Sequence, residues 1–164
     1  LFMGFFSEEL NIFQPLTNTN FGVPFDKQPI SISGFYKYKS GDVFYRVPEG
    51  GKIGEAKPED GTRDKGAVNA ILYEVSSDED KYITGAKTYE DPRIIAKAIF
   101  TCAEVDDYTS FKADLVYVAG KSYDSSKKYR FAIIASSSAE GDTFSGAPGS
   151  ILYLDDIEVS YIPN

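Results

Sequence analysis

The sequence predicts an all-β chain, an antiparallel β-sandwich of jelly-roll type, and three observations carry that expectation. Short segments rich in β-branched and aromatic residues recur between clusters of Gly, Pro, Asn, Asp and Ser. No stretch sustains the i, i+3, i+4, i+7 spacing of an amphipathic helix. The chain has 164 residues with 12 Tyr, 12 Phe and 42% hydrophobic content, too apolar to stay disordered and long enough for one core. Packing sheet on sheet is the economical way to bury many short strands, so residues 1–164 are expected to form a single domain.

The elements follow in order. Residues 1–6 read as a strand, and residues 18–26 as a loop, because Pro24 cannot donate to a central ladder. Residues 30–39 alternate. Ile30, Ile32, Gly34, Tyr36 and Tyr38 share one face, and Ser31, Ser33, Phe35, Lys37 and Lys39 share the other, as in a strand buried on one side only. Ser40-Gly41-Asp42 closes that strand, and residues 43–47 continue after the turn. Residues 48–65 are rich in Gly, Glu and Lys, with too little apolar material to order themselves, and read as a mobile loop. Residues 67–75 are apolar on both faces. Residues 93–103 fit either period, and their β-branched content favours a strand with Ile94, Ala96, Ala98, Phe100 and Cys102 on one face. Asp106 and Asp107 read as loop. Phe111, Ala113, Leu115 and Tyr117 alternate inward, residues 129–137 form a buried strand, and residues 138–150 are a Gly/Ser loop carrying Phe144.

The last strand, residues 150–161, carries two apolar sets of opposite parity. Leu152 and Leu154 form one, and Ile157, Val159 and Tyr161 the other. Side chains alternate along a strand, so both sets face one core only if an extra residue, a bulge, sits at Asp155-Asp156.

Composition removes several classes of function. The net charge is −8, from 17 basic and 25 acidic residues, and opposes a nucleic-acid backbone and an anionic membrane surface. No run approaches the roughly 18 apolar residues of a transmembrane helix. Residues 1–6 lack the basic n-region and the length of a signal peptide. The chain has no His, which excludes a Ser-His-Asp triad and imidazole metal ligands within it. Cys102, the only Cys, reads as a small core residue.

Several stretches resemble the putative carbohydrate metabolism domain family of gut-bacterial surface proteins. They are Phe21-Gly22-Val23-Pro24-Phe25, Gly34 to Gly41, Ala70 to Glu74, Ser136 to Ser150 and Leu152 to Glu158. The resemblance implies a galactose-binding-like jelly roll and carbohydrate handling. It also implies a secreted or cell-surface setting in lipoproteins, a chain lacking the domain's N-terminal strands, and an additional N-terminal module in the parent protein. Fold-level analogy is weak warrant for function.

The candidate residues divide by chemistry. Sugar recognition uses flat aromatic faces beside planar polar groups. Tyr36, Tyr38, Tyr45 and Tyr73 in strands, Arg46 and Glu74 beside two of them, and Phe144 in the Gly-rich loop supply both kinds. For each residue singly, core or rim packing is the commoner role. Asp155 and Asp156, with Glu158, are candidate ligands of a structural calcium, which takes six to eight hard oxygens. The alternative is a bulge in which one Asp bonds backbone and the other faces water. A glycosidase needs two carboxylates across a cleft. The adjacent pairs Glu8-Glu9, Asp106-Asp107 and Asp155-Asp156 are poor candidates, because neighbours on a strand point to opposite faces.

Three functions remain in order of preference: a non-catalytic module binding a glycan or oligosaccharide, a glycoside hydrolase using paired carboxylates, and a structural or adhesive β-sandwich with a protein partner.

Overall fold

The structure is a computed structural model and describes residues 2–8, 11–12, 14–85 and 88–162. Its strands are β1 (Gly4–Phe6), β2 (Thr19–Phe21), β3 (Val23–Pro24), β4 (Gln28–Lys39), β5 (Tyr45–Arg46), β6 (Lys57–Pro58), β7 (Gly66–Val75), β8 (Ile83–Thr84), β9 (Ile94–Cys102), β10 (Val105–Asp114), β11 (Val116–Tyr117), β12 (Lys128–Ser136) and β13 (Ile151–Ile162). Among the described residues, helix is confined to short 3₁₀ turns such as Gly141–Thr143.

The all-β, antiparallel sandwich expected from the sequence is what the chain forms. A five-stranded sheet, β11-β9-β7-β12-β3, faces a three-stranded sheet, β10-β4-β13. Between them lie Ile32, Tyr36 and Tyr38 of β4, Val68, Ala70 and Leu72 of β7, Phe111 of β10, and Phe131 of β12. The small sheet β1-β2-β8 covers the other face of the five-stranded sheet, over a second cluster of Phe21, Ile71, Tyr73, Ile83 and Ile94. Two covered faces explain why β7 is apolar at almost every position: odd and even residues each enter a core.

The bulge predicted in the last strand is present. Asp155 pairs with Phe35 and Glu158 with Ser33, three steps on β13 against two on β4. Leu152, Leu154, Ile157 and Val159 therefore all pack on the main core. Asp156 takes φ +48°, which a short polar side chain tolerates, and its N–H donates to Asp155 Oδ1 at 2.9 Å. Gly34 lies opposite, because a Cβ there would stand 3.0 Å from the Asp155 carbonyl oxygen and 2.8 Å from Ile157 Cδ1.

Other expectations need correction. Ile30 is exposed at 44%, because β4 has a second irregularity: Ser31 pairs with Ser160 and Pro29 with Tyr161, so Ile30 is the extra residue. Tyr161 is likewise exposed, with Lys27 Nζ 4.0 Å from its ring centroid. In β9 the step from Leu72↔Ala96 to Tyr73↔Ile94 leaves Ile95 over. Ile95 then joins Ala96 in the main core while Ile94 enters the second cluster. Asp106 and Asp107 belong to β10, in an irregular stretch between Val105 and Thr109. Residues 18–26 hold two short strands, and Pro24 sits on the edge strand β3, where no ladder donor is required. Residues 48–65 carry order of their own: β6 pairs with β5, and Asp64 is buried at 3%. Cys102 is buried as expected, and that burial pushes its thiol up to about 12.

Candidate functional site

The structure brings together three sequence-predicted residues, Tyr45, Arg46 and Phe144, from segments nearly a hundred positions apart. The Tyr45 N–H donates to Gly146 O at 2.9 Å, and the Gly146 N–H returns to Tyr45 O at 3.0 Å. The Val47 N–H donates to Ser145 Oγ at 3.1 Å. These bonds fasten the loop after β12 alongside β5. Between them opens a cleft of about 430 Å³, lined by Arg46, Val47 to Gly51, Glu140, and Asp142 to Ser145.

Arg46 spans the cleft. Its Nε and Nη2 donate to Glu59 and its Nη1 to Glu140, so the guanidinium ties the β5–β6 hairpin to the far loop. The guanidinium also lies 5.1 Å from the Phe44 ring centroid. The Arg46 charge, and then the Thr62 hydroxyl at 2.6 Å, hold the Glu59 carboxyl below its ordinary range. Glu49 and Asp142 line the cleft without an ion pair to any described cation.

Phe144 is the aromatic of this cleft. It caps the 3₁₀ turn Gly141–Thr143 at φ +58°, ψ +22°, with its N–H on Gly141 O at 3.1 Å. A bulky residue in the left-handed region is an outlier, and such strain collects at binding and catalytic sites. Here it leaves Phe144 37% exposed, as one of the residues lining the cleft.

Asp64 supports the loop from beneath. Its Oδ2 accepts Ser138 Oγ at 2.6 Å, Ser150 Oγ at 2.8 Å and the Ala147 N–H at 2.8 Å, and Oδ1 accepts the Lys65 N–H at 2.8 Å. One carboxylate thus pins both ends of the Phe144 loop. Gly146 and Gly41 permit the close approach: a Cβ would stand 2.5 Å from Ser138 Oγ at the first and 2.2 Å from Pro148 O at the second. Sequence reasoning missed Asp64, which sits in a polar stretch that gave no sign of burial. It also passed over Glu140 and Glu49. The Ser/Gly richness of residues 136–150 was the one available sign of a packed loop.

The other candidates lie elsewhere. Tyr36, Tyr38 and Tyr73 are core residues; Tyr38 Oη donates to Ser137 O at 2.9 Å and Tyr73 Oη to Phe21 O at 2.7 Å. Burial pushes the Tyr38 phenol up to about 12. Glu74 lines a separate cleft of about 500 Å³ with Arg93, Lys121, Asp124 and Lys127. Its charges are mutually engaged: Glu74 with Lys127 at 2.9 Å, Arg93 with Asp91 at 2.8 Å, and Lys121 with the Ile94 carbonyl at 2.8 Å. Asp156 and Glu158 border a shallow hollow on the outer face of β10-β4-β13, beside the exposed Phe35. Asp155 already accepts the Asp156 N–H, so the bulge gives that carboxylate a hydrogen-bonding role of its own. Among the described residues, no three metal-ligating side chains converge. Of the adjacent acidic pairs, Glu9 lies outside the described residues.

The family profile of the putative carbohydrate metabolism domain matches residues 1–160. The chain belongs to that family. It is similar to a solved structure of a putative glycoside hydrolase from Bacteroides thetaiotaomicron VPI-5482, with 34% identity and a TM-score of 0.82 over 99% of this chain and 47% of that one. It is also similar to a putative glycoside hydrolase from Bacteroides vulgatus ATCC 8482, with 31% identity and a TM-score of 0.77 over 98% of this chain and 63% of that one. This chain therefore spans about half to under two thirds of the length of those proteins. No curated protein matches it. No helix among the described residues is long and apolar enough to cross a membrane.

Proposed function

We propose that this carbohydrate metabolism domain is a non-catalytic glycan-binding module and that the Arg46–Phe144 cleft receives the sugar. The observation that carries this reading is Phe144, an exposed aromatic residue at a strained backbone position, lining one cleft with the planar polar groups of Arg46, Glu140 and Asp142. A pyranose offers an apolar face to such a ring and hydroxyls to Arg46, Glu140 and Asp142. The anchored loop favours binding, because a preorganised site has little order left to acquire. The setting on this reading is a secreted or cell-surface protein, to be checked by antibody labelling of intact cells.

The test is a glycan array probed with the wild-type chain and with Phe144→Gly, each with and without EDTA. Selective binding of one glycan class, lost in the variant and retained in EDTA, is the expected result. Binding that survives Phe144→Gly would remove the cleft from the account, and loss in EDTA would restore calcium as an ordering ion.

A glycoside hydrolase is the second reading, favoured by the description of the two similar structures and by the carboxylates Glu49, Glu140 and Asp142 in one cleft. A general acid must be protonated at working pH. Glu59, the one of the lowered carboxyls beside this cleft, is pulled below its usual range by Arg46, which disfavours it in that role. Hydrolysis of an array-positive oligosaccharide, abolished by Glu140→Gln, would establish the second reading over the first.

A further inference from the structure

The charges around the cleft narrow the class of glycan it admits, an inference that rests on the glycan-binding reading. Arg46 is the only cation among the residues lining it, and both faces of its guanidinium fork are committed, one to Glu59 and one to Glu140. Its positive charge is therefore already balanced by two carboxylates, while its remaining N–H groups stay available to neutral hydroxyls. Three carboxylates line the same 430 Å³ space: Glu140, which shares Arg46, and Glu49 and Asp142, which have no described cationic partner. The surrounding chain reinforces the sign, with a net charge of −8.

We infer that the cleft selects neutral or amine-bearing glycans and rejects those carrying uronate, sialate or sulfate groups. Carboxylates accept from sugar hydroxyls and from a protonated amine, but they offer nothing to an anionic substituent, which would also lose its water on entry. Like-charge juxtaposition of this kind is a common means of refusing wrong partners. The effect is local as well as global. Glu49 and Asp142 reach the cleft from different segments, one on the turn after β5 and one on the 3₁₀ turn that Phe144 caps.

The experiment compares each array-positive neutral glycan with its acidic counterpart on the same sugar backbone, in low salt and in 0.5 M sodium chloride. It uses wild type, the Glu49→Gln/Asp142→Asn double variant and Phe144→Gly. The acidic member is expected to bind at least about tenfold more weakly in low salt. That ratio should shrink in high salt, where the screening length falls to about 4 Å. It should shrink again in the double variant, although the net charge changes only from −8 to −6 by removal of two carboxylates. A ratio that salt reduces but the double variant leaves intact would assign the effect to overall charge and overturn the inference. Phe144-dependent binding of acidic glycans equal to their neutral parents would overturn it too, leaving the cleft reading standing. Failure of every glycan to bind in a Phe144-dependent way would remove both.

Discussion

Replacing Asp64 by Ala should loosen the cleft from below and destabilise the domain measurably. The carboxylate accepts four hydrogen bonds between 2.6 and 2.8 Å, and it is 3% exposed. Its donors are not equivalent. The Lys65 N–H belongs to an exposed residue and can turn to water, as can the half-buried Ser138 and Ser150 hydroxyls. The Ala147 N–H is buried, so Ala leaves it without a partner, at roughly 1–3 kcal/mol. Lost charge-assisted bonds to the two serines, partly replaced by water, raise the total to about 3 kcal/mol. For a chain of this size that is a fall in Tm of about 6–12 °C. Asp64→Asn keeps the shape but exchanges one acceptor for a donor, and should fall between wild type and Ala. The assay is thermal unfolding by circular dichroism, with urea midpoints as a check on the slope. A Tm within about 2 °C of wild type for Asp64→Ala would refute the view that this carboxylate pins the Phe144 loop.

Further outcomes follow from the same geometry. Gly41→Ala places a Cβ 2.2 Å from the Pro148 carbonyl oxygen and should cost about 1–3 kcal/mol, whereas Gly54→Ala, with nothing within 4 Å, should be close to neutral in the same melt. Phe144→Gly relieves a left-handed position worth about 1–2 kcal/mol, so it should hold or raise Tm while binding is lost; a large drop in Tm would assign the ring to packing. Tyr38 and Cys102 stay neutral in the fold to about pH 12, while in the unfolded chain they ionise near their ordinary values of 10.0 and 9.0. Both folded values are raised, so their contribution is full below about pH 9 and is lost as pH rises toward 12. The urea midpoint should therefore decline across that window, and Cys102 should resist thiol reagents at pH 8 until the chain unfolds; a flat midpoint or prompt labelling would contradict this.

What the sequence disclosed tracks the length scale of the cause. Two parities of apolar residues within one strand are a local contradiction that only an extra residue resolves, so the Asp155-Asp156 bulge was legible from Leu152 to Val159 alone. The apolar character of β7 on both faces likewise announced a doubly covered strand. The bulges at Ile30 and Ile95 were not legible, because each side of the break still offers apolar residues to a core and the parity conflict is silent. The candidate site followed the same division. Arg46 and Phe144 carried chemistry that could be named in isolation, and the fold set them beside one cleft. Tyr36, Tyr38 and Tyr73 carried the same chemistry but alternate toward the cores. Nothing local distinguishes Asp64 from its exposed neighbours: its burial is decided by Ser138, Ala147 and Ser150, more than seventy positions away.

The location of the glycan is the central claim, and chemical-shift mapping tests it most directly. The isotopically labelled chain would be titrated with the strongest oligosaccharide from the array, and backbone amide shifts followed in two-dimensional spectra. The account predicts saturable shifts concentrated in residues 45–51 and 140–146. Shifts centred instead on Glu74, Arg93 and Lys127, or on the outer sheet face around Phe35 and Glu158, would contradict it.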